Sequence, residues 1–275
     1  MAYETLLVEK KDGIALVTFN RPDKLNTLST RLFLDLRDLM AEFRYDLETR
    51  VIIFTGAGRA FSAGFDLRVD ALTQHMSQKE MPNERIWQLF FLDLMSDIEN
   101  LEQVTIAAIN GPAMGGGLCI AMNCDFRIMA DNARLGVPEI GLGVFLSWGS
   151  TPRLVALLGP SRAKEFIMTG DPVDGNEAYR IGMVNRVVTL DQLIPASYEL
   201  ARKIMRKGPL AIRICKKQVN AASVARMSDL NLFESELWER NQISPDLQEG
   251  IKASIERRPP DFKTGAGVPE FDVSI

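Results

Sequence analysis

Hydrophobic and polar positions along the chain follow two periods. A strand period runs through Thr5 to Glu9 and Ile14 to Phe19, on either side of Lys11-Asp12-Gly13. Asp-Gly supplies the positive backbone angles of a tight turn, so these segments predict a hairpin. A helical period follows over Thr30 to Arg44, where Leu32, Leu36, Leu39, Met40 and Phe43 recur with charges between them. Val51 to Phe54, Ile106 to Ile109 and Phe126 to Ala130 are short apolar runs and read as buried strands. Ile86, Phe90, Leu94, Ile98 and Leu101 predict a helix over Glu84 to Leu101, whereas Val69 to Asn83 has no apolar period and reads as a mobile or partly helical connector. Pro152 to Leu158, Ser161 to Met168 and Asp174 to Ile181 predict short helices, the last with Asp174 and Glu177 spaced as a capping box. After a short strand at Val184 to Val188 the period is helical from Leu190 onward, with Ser244-Pro245 suited to opening the final helix. This shift divides the chain into a core at 1–189 and a helical region at 190–275.

Two strands run into glycine-bearing turns. One is Asn110-Gly111-Pro112-Ala113-Met114-Gly115-Gly116-Gly117, which leads into a helix; the other is Thr55-Gly56-Ala57-Gly58-Arg59-Ala60-Phe61-Ser62-Ala63-Gly64-Phe65-Asp66-Leu67. Glycines entering a helix leave backbone N–H groups without intrahelical acceptors, and the helix dipole favours a negative oxygen there. Two readings fit: an oxyanion hole with one donor from each turn, or close helix-on-strand packing. A third glycine-bearing stretch, Ala133 to Gly143, carries Glu139 among apolar neighbours. A loop glutamate is ordinarily a solvated charge, but in a water-poor pocket it binds its proton more tightly and can both take and return one.

Composition narrows the chemistry. Among 275 residues, 32 Lys and Arg stand against 36 Asp and Glu, giving a net charge of -4 with no long block of one sign, which argues against a nucleic-acid surface. Cys119, Cys124 and Cys215 are spaced for neither zinc nor a disulfide framework. The single histidine, His75, has nothing nearby in sequence to orient it and reads as exposed, so a Ser-His-Asp triad and a metal centre are both disfavoured. No signal-like or membrane-length apolar run is present, and a cytoplasmic protein is expected. Arg59 suits either a phosphate or bare solvent.

The ordered motifs begin at Asn20-Arg21-Pro22-Asp23-Lys24-Leu25-Asn26, continue through both glycine turns and Gly136-Val137-Pro138-Glu139-Ile140-Gly141, and end at Glu256-Arg257-Arg258-Pro259-Pro260-Asp261-Phe262. Together they resemble the enoyl-CoA hydratase/isomerase (crotonase) family over nearly the whole chain. The resemblance implies an α/β fold of the ClpP/crotonase type, with repeated ββα units forming two near-perpendicular sheets and a helical C-terminal extension that covers the active site. It further implies a homotrimer or homohexamer, an acyl-CoA substrate, and coenzyme A as part of that substrate rather than a separate cofactor. By position, the N–H groups of Phe65 and Gly116 would grip a thioester carbonyl as it becomes an enolate, and Glu139 would move the proton. Lys24, Leu25, Thr27, Arg59, Ala63, Gly64, Asp66, Leu67, Met114 and Pro138 fall at substrate or coenzyme positions, and Phe262 and Lys263 near the adenine and phosphates. Trp148 fits a narrowed acyl pocket, a stacking face for a cyclic substrate, or an ordinary buried aromatic.

One position departs from the pattern. Family hydratases carry a second glutamate two residues after the glycine run, where this chain has Cys119. Other members place an acid eight residues beyond Glu139, where this chain has Ser147. A thiol is a poor substitute for a carboxylate in orienting water. A thiolate at a helix start suits a covalent intermediate, yet no histidine stands by as its base, and a buried pocket-lining cysteine is the stronger reading. A single carboxylate suffices for a proton shuttle, so the sequence favours double-bond isomerisation, with hydration as the alternative and an idle coenzyme A binder as a third reading.

Overall fold

The computed structural model describes residues 3–66, 84–224 and 245–261. The opening hairpin forms from β1 (Leu6–Lys11) and β2 (Ile14–Phe19), with Asp12 at φ 51° and Gly13 at φ 74°. From β2 the sheet continues in parallel through β3 (Val51–Gly56), β4 (Val104–Ile109), β6 (Phe126–Ala130) and β9 (Arg186–Val188), in the order β1-β2-β3-β4-β6-β9. Every residue of β3 and β4 is buried, as expected for central parallel strands covered on both faces. A second sheet joins β5 (Ala113–Met114) to β7 (Arg134–Gly136) in parallel, and β7 to β8 (Val173–Asp174) in antiparallel.

Helix α1 (Thr30–Tyr45) starts where the Ser29 side chain accepts from the Leu32 N–H, and it buries Leu32, Phe33, Leu36, Leu39, Met40 and Phe43. Each large apolar side chain so buried contributes about 1.5–3 kcal/mol relative to exposure. Next come α2 (Glu84–Asn100), α3 (Gly116–Asn123), α4 (Ser150–Leu158), α5 (Pro160–Thr169) and α6 (Gly175–Arg180). Three further helices follow: α7 (Leu190–Met205), α8 (Pro209–Val224) and α9 (Pro245–Glu256). α7 lies across β3, β4, β6 and β9, and α3 packs between α2 and α4.

Several expectations need correction. The buried face of α2 is Trp87, Phe91, Leu94, Met95 and Ile98, while Ile86 is exposed and Phe90 half-buried. Two overlapping apolar settings exist on this helix, and the one carrying Trp87 turns inward. The stretch from Ala133 to Gly143 is more ordered than a loop: it holds β7 and a 3-10 turn at Pro138–Leu142. The capping box at Asp174 is one-sided, since Asp174 accepts from the Glu177 N–H at 2.9 Å but the Glu177 carboxylate pairs with Arg180. The expected connector with His75, together with Leu67, Ser244, Phe262 and Lys263, lies outside the described residues. Among the described residues no helix is long and apolar enough to cross a membrane, and no His, Cys, Asp and Glu cluster suits a metal ion.

Candidate active site

Because β2, β3 and β4 are parallel, the loops that follow them leave the same edge of the large sheet. Main-chain hydrogen bonds join these loops. The N–H of Ala63 donates to Leu25 O at 2.9 Å, that of Leu28 to Gly64 O at 2.8 Å, and that of Asp66 to Leu28 O at 3.2 Å. Leu28 thus bonds the residues on either side of Phe65, so the Phe65 N–H faces away from Leu28. The turn after β4 lies against the same segment, with the Met114 N–H donating to Ser62 O at 2.9 Å. At Gly64 the approach is so close that a Cβ would come within 2.8 Å of Met114 O and 3.6 Å of Gly116 N. Gly64 (φ 89°) and Gly115 (φ 51°) both occupy backbone conformations that favour glycine. Gly116 opens α3, so its N–H has no acceptor within the helix and sits at the positive end of the dipole. The two sequence-predicted donors are therefore carried by adjoining turns.

Buried polar side chains fix the turn after β3. Asn26 accepts from the Arg21 N–H at 2.9 Å and donates to Ala57 O at 2.9 Å and Ala60 O at 2.8 Å. Ser62 Oγ donates to Asn26 O at 2.8 Å and accepts from the Gly64 N–H at 3.3 Å. Asn110 accepts from the Gly56 N–H at 3.1 Å and donates to Gly58 O at 3.0 Å. Sequence reasoning missed these three roles. An asparagine in the loop after β2 and an Asn-Gly pair after β4 were the available signals, since asparagine bonds turn backbone readily.

Glu139 stands in the first turn of the Pro138–Leu142 segment, and its carboxyl group covers Gly115, where a Cβ would overlap Oε1 and lie 3.0 Å from Cδ. The residue as a whole keeps some exposure, yet Oε2 is sealed from solvent and has no hydrogen-bond partner among the described residues. Burial pushes its pKa from the ordinary 4.5 up to about 7, opposed only by its own backbone N–H. Helix α9 packs on this turn, with Gly250 so near that a Cβ would fall 2.6 Å from Leu142 Cα.

Cys119 is buried, with its thiol 3.9 Å from Ser147 O. Against Gly116 stands Trp148, at φ 57°, a strained setting for a bulky residue that costs about 1–2 kcal/mol. Of the coenzyme candidates, Lys24, Arg59 and Pro138 are exposed, while Leu25, Thr27, Ala63 and Met114 are half-buried. The Thr27 and Asp66 side chains are tied to Arg21, at 3.2 Å and 3.4 Å.

The arrangement offers two backbone donors beside one proton-holding carboxylate, which is what stabilising and protonating an enolate requires. The sequence model for enoyl-CoA hydratase/isomerase matches residues 9–265. The chain belongs to this family. Crotonyl-CoA hydratase of Syntrophomonas wolfei is 35% identical over 268 residues, covering 95% of this chain and 99% of that protein. An enoyl-CoA hydratase structure from Mycobacterium avium subsp. paratuberculosis superimposes with a TM-score of 0.85 at 27% identity, covering 95% of this chain and all of that one (100%). A monofunctional enoyl CoA isomerase from M. smegmatis gives a TM-score of 0.67 at 32% identity, covering 83% and 98%. The α/β fold is thus the crotonase fold, and the chain is an enzyme of the enoyl-CoA hydratase/isomerase family whose substrates are acyl-CoA thioesters.

Proposed function

We propose that the enzyme adds water across the conjugated double bond of a 2-enoyl-CoA, with Glu139 as both base and acid and the N–H groups of Phe65 and Gly116 as the oxyanion hole. The observation that carries this reading is the buried, unpartnered Glu139 Oε2 beside the two turns. The carboxylate removes a proton from water as the water oxygen bonds to C3. The π electrons move onto the thioester oxygen, where two backbone donors hold the charge; one such donor is worth about 3 kcal/mol. Protonated Glu139 then delivers its proton to C2, which restores the carbonyl and the carboxylate. A pKa near 7 suits both halves of this exchange.

Likeness to a crotonyl-CoA hydratase at 35% identity supports hydration over the isomerisation that the sequence alone favoured. Isomerisation stays as a second reading because Cys119 stands where hydratases have another glutamate. In that reaction Glu139 takes a proton from C2 of a 3-enoyl-CoA and returns it at C4. Both reactions use coenzyme A only as part of the substrate, in a homotrimer or homohexamer whose mass sedimentation would measure. The test is incubation with crotonyl-CoA and, separately, 3-hexenoyl-CoA in deuterated water, following product mass and thioester conjugation together. Water gained by crotonyl-CoA is the expected result. Conjugation of the 3-enoyl compound without that gain would establish the isomerase reading instead, and no turnover of either would favour an idle coenzyme A binder.

A further inference from the structure

We propose that Trp148 sets the acyl length this enzyme accepts, its indole closing the site directly beyond the thioester carbonyl; the inference rests on the acyl-CoA reading above. The contact with the donor turn is immediate. A Cβ on Gly116 would lie 2.7 Å from Cη2 of the indole and 2.8 Å from Leu28 Cδ1, so the six-membered edge of the ring lies on the Cα of the residue that offers the N–H. A carbonyl oxygen held by that N–H brings its first acyl carbons against whatever covers Gly116.

The indole is also fixed. Its ring lies 4.5 Å from Phe91, 5.5 Å from Phe33 at 87°, and 6.3 Å from Phe65 at 69°. Phe91 is in turn stacked on Trp87 at 5.6 Å. Trp148 and Gly149 have consecutive positive φ angles, 57° and 68°, a backbone setting retained here with a bulky side chain on its first residue. Such strain persists only where the surroundings over-determine it. The indole's ring neighbours are all aromatic, so the ring presents bulk to the site. Short acyl groups fit in front of this wall, and long saturated chains meet it.

The experiment compares wild type with W148G and W148F. Glycine suits the backbone angle, and phenylalanine keeps aromatic packing with a smaller ring system. One readout is kcat/KM for crotonyl-CoA against trans-2-decenoyl-CoA. The other is the dissociation constant of butyryl-CoA against decanoyl-CoA by calorimetry, which needs no turnover. In W148G both ratios are expected to move toward the ten-carbon chain by about tenfold or more, the scale of pocket discrimination between chains differing by methylenes. W148F should move them less, in the same direction, and it decides the matter if W148G does not fold. Ratios that stay fixed while both chain lengths weaken equally, or a wild type that binds decanoyl-CoA as tightly as butyryl-CoA, would overturn the proposal. If calorimetry shifts but neither enoyl-CoA is turned over, the proposed reaction fails and this inference stands. A wild type that binds neither saturated thioester ends both.

Discussion

The two turns that meet at Gly64 and Gly115 are held by different means. The turn after β3 adds side-chain bonds to its main-chain ones: Asn26, Ser62 and Asn110 satisfy carbonyls and N–H groups along it. The turn after β4 depends on main chain, with Met114 N–H on Ser62 O, Gly115 N–H on Gly136 O at 3.0 Å, and the helix α3 beyond. A turn held by side chains is loosened by deleting a functional group. A turn held by main chain is disturbed chiefly by adding atoms to its glycines. The carboxylate of Glu139 rests on the second turn, over Gly115.

The largest expected effect separates the chemistry from both scaffolds. Glu139→Gln keeps the shape and removes the base, so kcat should fall by about 10³–10⁴, measured in steady state at pH 8. For wild type, kcat/KM should decline as pH drops through about 7, because the base form is lost there. Stability should respond in the opposite sense. Burial raises the folded pKa above the ordinary 4.5, so the folded state holds the proton more tightly and loses stability as pH rises from 4.5 through 7. Chemical denaturation should therefore find E139Q more stable than wild type at pH 8, with the gain vanishing toward pH 4.5.

A smaller effect is expected from breaking the junction of the turns. Gly64→Ala puts a Cβ against the Met114 carbonyl at a strained φ of 89°, and the backbone must move. Displacing an oxyanion donor this way should lower kcat by about 10²–10³, with KM little changed. An unchanged kcat would mean that the donors are not where the two turns put them. The smallest effect should come from the turn that side chains hold. Asn26→Ala leaves the Ala57 and Ala60 carbonyls without this partner, which should cost about 1–3 kcal/mol and lower the melting temperature by several degrees. Because the second turn keeps its own main-chain bonds, kcat should drop only about tenfold. A loss as large as that of G64A would show that Asn26 holds the donors in place as strictly as the glycine junction does.

The sequence carried the long elements well and the short ones poorly. α1 ends one residue past its expected limit because five apolar positions mark a single face. α2 carries Ile86 and Phe90 beside Trp87 and Phe91, and a periodicity that fits two settings cannot say which turns inward. β5 and β8 have two residues each, too few for any period. Both glycine turns were legible because each follows an apolar strand run, and Glu139 because of its apolar neighbours and its place in the family motif. The anchoring of Asn26 was not, since its acceptors Ala57 and Ala60 stand 31 and 34 residues away. The aromatic enclosure of Trp148 was hidden for the same reason, as Phe33 and Phe91 come from α1 and α2.

The seat of Gly250 on Leu142 has a consequence for biosynthesis. Translation delivers the large sheet, both turns and the Pro138–Leu142 segment well before α9 leaves the ribosome. Until then the backbone behind Glu139 packs on α5 but lacks α9. The helix that seats Gly250 on this turn is thus the last of the described elements to be synthesised.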